Sequence, residues 1–253
     1  MEYSVNSKEK IYLGLKVFFT IAVLIGFIAL FSINKKTGAM MGVFGVYALL
    51  IGLFFFIRHA VAIGYLRGNA VRVSEDQFPE LFKIAEEYSE KLQLASTPSV
   101  FIIQAGGILN AFAARFIGKE YVVLYSEIVE AAYEKGIDAL SFVIGHELGH
   151  IKRKHMTMNF ILFPSLIIPF LGSAYSRACE YTCDNIGKHL NPNGAVSGML
   201  ILAVGKYLYE KVNINRYLEQ IENEKGFWVW FAEIISSHPN LPKRIKKINQ
   251  EKI

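Results

Sequence analysis

With 253 residues the chain has room for one large domain or two small ones, and its hydrophobic share of 53% exceeds that of ordinary soluble proteins, so a membrane component is expected. The formal net charge of +5 comes partly from lysine and arginine beside apolar runs, with no aromatic-interleaved basic stripe and no nucleic-acid motif, which excludes nucleic acid as a partner. The cysteines, Cys179 and Cys183, stand four apart on a helical pattern. That spacing fits neither a secreted disulfide framework nor a zinc ribbon and suits a reducing compartment.

Two apolar runs come first. Ile11 to Ile33 carries one charge, Lys16, and Gly38 to Ile57 carries none; each is long enough to cross about 30 Å of hydrocarbon. A cleaved signal peptide would have a shorter core and a small-x-small site before the basic turn Asn34-Lys35-Lys36-Thr37, so the pattern predicts a transmembrane hairpin. Two crossings return the chain to its starting side. Lys8, Lys10, Lys16, Arg58, Arg67 and Arg72 flank that side against Lys35 and Lys36 on the other, and the positive-inside bias puts everything after Arg58 in the cytoplasm. The expected location is the cell membrane, multi-pass.

Beyond the hairpin, Gln77 to Leu94 has Phe78, Leu81, Ile84, Tyr88 and Leu92 at helical spacing, with Ser74 or Asp76 as N-cap and Pro79 in the first turn. Pro98 ends this helix. Val100 to Gln104, Ile108 to Ile117 and Tyr121 to Tyr125 are β-rich runs separated by Gly106-Gly107 and Gly118, which predicts a small sheet. A helix from Glu127 to Lys135 stops at Gly136, and Asp138 caps the next, Ala139 to Lys154. Ser173 to Leu190, Gly194 to Val212 and Pro242 to Lys252 also read as helices. The fold class is α+β.

The helix after Asp138 carries His146-Glu147-Leu148-Gly149-His150. Two imidazoles four apart lie about 40° from each other around a helix and can share one metal ion, and zinc suits imidazole nitrogens while leaving a position for water. Glu147, on the flank of the same face, can take that water's proton. A third histidine in the His-x-x-Gly-x-x-His continuation is absent, because Arg153 and Met156 stand where Gly and His would be needed. Glu180 and Asp184, again four apart, can supply one carboxylate to the metal and one to a ligand histidine. Cys179 and Cys183 lie about 100° away around that helix and read as packed small residues, and His155, five residues beyond His150, points elsewhere.

Phe78-Pro79-Glu80-Leu81, Asn110-Ala111-Phe112-Ala113, the His146 to His150 motif, Ser176 to Asp184, and Ser237-His238-Pro239 with Arg244 occur in that order. This set resembles the HtpX-like membrane metallopeptidases, related to the CAAX prenyl proteases and more distantly to thermolysin-type gluzincins. The resemblance implies residues 1–68 as an N-terminal tail with a two-helix transmembrane hairpin, and 69–253 as a mainly helical zincin-type metalloprotease domain with a small sheet. It makes Glu180 the third ligand of a single Zn2+ and Asp184 the partner of a zinc histidine. Asn110, Ala111, Phe112 and Ala113 would form an edge strand pairing with an extended substrate; His238 would face the cleft toward the developing oxyanion, with Arg244 in support. Without the family, Asn110 reads equally as a turn end and His238-Pro239 as a helix-start turn.

Protein or peptide substrates follow from the resemblance, membrane proteins that are damaged or misfolded among them, with the lipid bilayer as the other partner and no indication of oligomeric state. HtpX-like chains often carry two further spans between the catalytic helix and the glutamate helix. Here only Met156 to Tyr175 intervenes, broken by Pro164 and Pro169, so it dips into the interface, caps the cleft or forms a buried link. The aromatic run Phe227 to Phe231 reads as an interfacial belt or as core. The rival functions are a CAAX protease, disfavoured because two spans cannot enclose a large intramembrane chamber, and a non-catalytic adaptor or chaperone with a vestigial site, disfavoured by the intact Glu147.

Overall fold

The computed structural model describes residues 3–33, 35–104, 106 and 110–250. Asn34 of the basic turn, Gly107, the start of the second expected strand at Ile108, and Lys252 lie outside the described residues.

α1 (Ser7–Ser32) and α2 (Lys35–Asn69) are long and apolar enough to cross a membrane, and most of their large side chains are exposed. Asn6 caps α1, its side chain accepting from the Lys8 N–H at 2.9 Å, while its own N–H reaches Thr182 Oγ1 at 3.1 Å. The hairpin therefore starts already tied to a later helix. Lys16, the lone charge of the first apolar run, is 1% exposed. Its ammonium donates to Asn159 Oδ1 at 2.7 Å and stands 4.8 Å from the Tyr175 ring centre, which replaces the water it gives up. At 1.5 Å per residue α2 is about 52 Å long, more than a bilayer core needs. Its last turns continue past the expected end of the span because Ile63 and Leu66 bury themselves against one face of the sheet, with Phe101, Tyr121 and Val123.

β1 (Val71–Arg72) leads to α3 (Pro79–Lys91). Ser74 and Asp76 are not its caps. Ser74 and Gln77 pair with each other in a β-bridge, and Phe78 turns left-handed before Pro79 opens the helix. β2 (Ser99–Ile103), β3 (Ala111–Phe116) and β4 (Lys119–Tyr125) complete a sheet of order β1-β2-β4-β3. β2 and β4 run parallel and the outer pairs antiparallel. The β3–β4 turn is Ile117-Gly118, both with positive φ (45° and 76°), the conformation a two-residue hairpin needs to match strand twist. Val100, Ile102, Val122 and Leu124 face the helical core; their neighbours in sequence face α2.

The remaining helices are α4 (Ser126–Lys135), α5 (Asp138–Lys152), α6 (His155–Ile161), α7 (Leu171–Leu190), α8 (Ala195–Val204), α9 (Ile214–Asn223), α10 (Phe227–Ile235) and α11 (Leu241–Gln250). Asp138 is the first helical residue of α5 rather than its cap, and its carboxylate accepts from Asn191 Nδ2 at 3.0 Å, fastening the loop after α7. The helix expected to run to Val212 stops at Val204 because Gly205, with φ of 86°, leaves the helical region. α9 and α10 were not legible as helices in the sequence.

Met156 to Tyr175 is neither a continuous helix nor a buried link. α6 gives way to a 3-10 turn at Phe163–Ile167, then Phe170 turns left-handed into α7. Phe160 is 81% and Ile167 69% exposed, with Phe163, Leu166 and Phe170 also open. The aromatic run on α10 is not core either: Phe227, Trp228 and Trp230 are exposed, and Phe231 meets Phe170 edge-on.

α5 and α7 pack almost backbone to backbone. A Cβ on Gly145 would stand 3.2 Å from Gly187 Cα, and one on Gly149 would stand 3.3 Å from Cys183 Cα. These glycines flank the two histidines, so the contact that brings the helices together also brings His146 and His150 against Glu180 and Asp184.

Candidate active site

Nε2 of His146 and Nε2 of His150, one turn apart on α5, are 3.3 Å apart. From α7, Glu180 places Oε2 3.5 Å from His146 Nε2 and Oε1 3.3 Å from His150 Nε2. Ligands at about 2.0 to 2.1 Å from a tetrahedral zinc ion stand about 3.3 Å from one another. The donor chemistry and the spacing of these residues therefore fit one zinc ion with a position left over.

Asp184 stands behind His146, its Oδ1 2.9 Å from Nδ1, within hydrogen-bonding distance though not aligned as one. Arg244 of α11 donates to both Asp184 oxygens, and its Nη1 lies 3.1 Å from Glu180 Oε2. Burial alone would raise both carboxyls. The Arg244 guanidinium and the facing histidines, His146 and His150 for Glu180 and His146 for Asp184, together outweigh it, holding Glu180 well below the usual carboxylate range and Asp184 below its ordinary value. Burial likewise works against a charged His146, but Asp184 and Glu180 prevail and raise it to about 10.

Glu147 is buried in the wall of a small cavity of about 60 Å³ that it shares with His146, Glu180, Asn110, Ala111 and His238. It belongs to none of the metal-capable groups among the described residues. His238, in the loop between α10 and α11, is exposed, with Nε2 3.6 Å from Glu180 Oε1 and Nδ1 2.9 Å from Ser237 Oγ. That loop is held by Arg177 of α7, whose Nη1 donates to the carbonyls of Glu233, Ile234 and Ser236 at 2.6 to 2.8 Å. Sequence reasoning gave Arg177 no role, although it lies within the segment that contains Glu180.

β3 is an edge strand. The Tyr125 N–H donates to the Asn110 carbonyl at 3.0 Å, so by antiparallel alternation Asn110, Phe112 and Ala114 direct their backbone groups to β4, and Ala111, Ala113 and Arg115 direct theirs outward. Asn110 Oδ1 accepts the Ala111 N–H at 2.9 Å, and His59 of α2 meets the Arg115 carbonyl at 2.9 Å. Among the described residues the Ala111 carbonyl and both backbone groups of Ala113 remain open beside the cavity.

His155 does not point away from the site. α5 ends at Lys152, Lys154 adopts φ of 56°, and the chain folds back so that His155 Nδ1 lies 3.1 Å from His150 Nδ1. A helix drawn on to Lys154 cannot anticipate that reversal. His155 Nε2 in turn lies 3.3 Å from Oε1 of Glu9 on α1. Cys183 with His150 and His155, and Cys179 with Glu9 and His155, also cluster closely enough to hold a metal ion, but burial pushes both thiols up, which works against the thiolate a metal needs.

Two imidazoles and a glutamate from a second helix make a group that could hold one metal ion, in the arrangement of a gluzincin-type metallopeptidase. The family model for Peptidase family M48 matches residues 75–168 and 160–252. The chain belongs to peptidase family M48. Among its relatives, the plastoglobule-localized metallopeptidase 48 of Arabidopsis thaliana is 26% identical over 210 residues, 72% of this chain and 60% of that protein. A Protease HtpX homolog of Thermodesulfovibrio yellowstonii is 32% identical over 130 residues, 51% of this chain and 43% of that protein. The chain thus spans less than two thirds of the length of either relative. The crystal structure of S. mikatae Ste24p shares the fold with a TM-score of 0.53 at 14% identity, covering 97% of this chain and 67% of that one.

Proposed function

We propose that this chain is a membrane-anchored zinc endopeptidase that cleaves extended polypeptide at the cytoplasmic membrane surface, damaged or misfolded membrane proteins among them. The observation that carries the reading is the mutual spacing of His146, His150 and Glu180, 3.3 to 3.5 Å between donor atoms, with Glu147 on the wall of the same cavity. Zinc held there supplies Lewis acidity toward a water and the scissile carbonyl. The chain's own residues do the rest. The open groups of Ala111 and Ala113 accept a substrate strand as an added edge strand, Glu147 takes the proton of the attacking water and returns it to the leaving amine, and His238 donates to the developing oxyanion. Asp184, gripped by Arg244, keeps His146 in place.

The exposed apolar surface of the 3-10 turn, Phe160, Phe170 and the α10 aromatics supports a domain seated in the lipid interface beside α1 and α2. Those two helices have little buried surface, which favours an open site at the membrane surface over an enclosed CAAX-protease chamber. The test is zinc analysis of the detergent-purified chain together with casein digestion. The expected result is one zinc per chain and activity that a chelator removes and zinc restores; metal-independent digestion, or none with zinc bound, would reject the reading.

A further inference from the structure

We propose that His155 and Glu9 position the metal ligand His150, so that the first turn of α1 completes the metal centre. The inference rests on reading His146, His150 and Glu180 as the zinc ligands. A histidine that gives Nε2 to a metal keeps its hydrogen on Nδ1, and that hydrogen needs an acceptor to fix the ring. For His146 the carboxylate oxygen in reach is Asp184 Oδ1, 2.9 Å from Nδ1. The matching nitrogen of His150 has a neutral ring as its neighbour, His155 Nδ1 at 3.1 Å.

Two ring nitrogens bond only if one has the hydrogen and the other the lone pair. With His150 Nδ1–H as donor, His155 Nδ1 must accept, which places the hydrogen of His155 on Nε2. That nitrogen lies 3.3 Å from Glu9 Oε1, an oxygen able only to accept. The metal therefore dictates every hydrogen in the chain from His150 to Glu9, and all of them point toward the carboxylate.

Glu9 and His155 are 1% and 3% exposed, and a charge taken so far from water is costly unless tightly held. The hold is visible. Arg153 donates Nε and Nη2 to the same Glu9 oxygen at 3.0 and 2.8 Å, and Asn6, the cap of Glu9's own helix, is bonded to Thr182 on α7. Glu9 thus belongs to the helix that starts the hairpin yet is held by Arg153 at the end of α5, while the cap of its helix is bonded to α7. Asp184 supports one histidine from within the domain, and α1 supports the other.

The experiment measures zinc affinity by chelator competition on the full chain in detergent, with metal stoichiometry at saturation. Glu9→Ala and His155→Ala are expected to lower zinc affinity about 10- to 100-fold while saturating at one zinc per chain. Asp Oδ1 and His Nδ1 are both one bond beyond Cγ, so His155→Asp sets a carboxylate oxygen where the imidazole accepted. Combined with Glu9→Gln, which removes the like charge, it is expected to restore affinity to near the wild-type value. A packing role would not be restored, because aspartate fills less space than histidine. Wild-type affinity in His155→Ala, a double variant as weak as His155→Ala, or two zinc ions per wild-type chain would each overturn the relay. A wild-type chain that binds no zinc would sink the ligand assignment itself, and the relay with it.

Discussion

Arg244 grips Asp184 at two points, Nε 2.8 Å from Oδ2 and Nη2 2.6 Å from Oδ1, with both side chains buried. Since Nη1 also reaches Glu180, one guanidinium from α11 is shared between both carboxylates that α7 turns toward His146. Arg244→Met leaves two buried carboxylates with His146 as their one neighbouring cation, a change expected to cost about 3–5 kcal/mol in denaturant unfolding. Arg244→Lys keeps the charge but not the planar fork and should recover only part of the loss. A loss near zero for Arg244→Met would show that the carboxylates need no cation beyond His146.

Glu147→Gln removes the base and leaves the ligands, so the variant should bind one zinc per chain yet turn over a fluorogenic peptide about 10²- to 10⁴-fold more slowly. Wild-type turnover would reject the base assignment. On α7, Glu180→Ala should weaken zinc binding sharply while Cys183→Ala, a small side chain packed beside Gly149, should leave it intact. The reverse order would mean the wrong ligand has been chosen on that helix.

Zinc must compete with a proton. Burial opposes charge on His146, but Asp184 and Glu180 raise its pKa from 6.5 to about 10 in the metal-free protein, so at pH 8 the ring is protonated before the metal arrives. Titration calorimetry in buffers of different ionisation heat should find about one proton released per zinc bound, with apparent affinity rising with pH up to about 10. The same raised pKa stabilises the metal-free fold fully below pH 6.5, an advantage lost as pH climbs through 10. No proton release at pH 8 would mean the ring is already neutral.

If His146, His150 and Glu180 share one coordination sphere, both ends of the α6 to α7 segment lie on one side of the membrane. Single cysteines at Lys154 and Asn193, in a Cys179→Ala, Cys183→Ala background, should both react with an impermeant thiol reagent only when the cytoplasmic face is open. A cysteine at Lys36 should label from outside. Labelling of Lys154 and Asn193 from opposite faces would break the metal site. Labelling of both from outside would overturn only the orientation, which rests on a modest charge bias.

The sequence made the chemistry legible where it depends on helical spacing. His146 with His150, and Glu180 with Asp184, repeat every four residues, and regular helices carry that period into space unchanged. It was silent where one residue's backbone re-aims the chain. Lys154 at φ of 56° turns His155 back onto His150, and Gly205 ends a helix whose apolar pattern runs on. Glu9 was beyond reach for another reason. Its partners lie 144 and 146 residues away, at Arg153 and His155, and no local pattern encodes such a meeting. Lys16 read as a flanking charge because burial against Asn159 and Tyr175 is equally non-local.

Asn110 Oδ1 takes the Ala111 N–H and His59 the Arg115 carbonyl, which leaves β3 a short open edge from the Ala111 carbonyl through Ala113 to the Arg115 N–H among the described residues. Copies tethered to one bilayer share an orientation and a plane, conditions under which bare strand edges on neighbouring molecules would find each other and grow into stacked sheets. An edge this short gives a neighbouring copy too few hydrogen bonds to hold on. A flexible peptide drawn across it meets the metal cavity next door as well. His59 on α2 thus shortens the very edge that neighbouring copies would otherwise share.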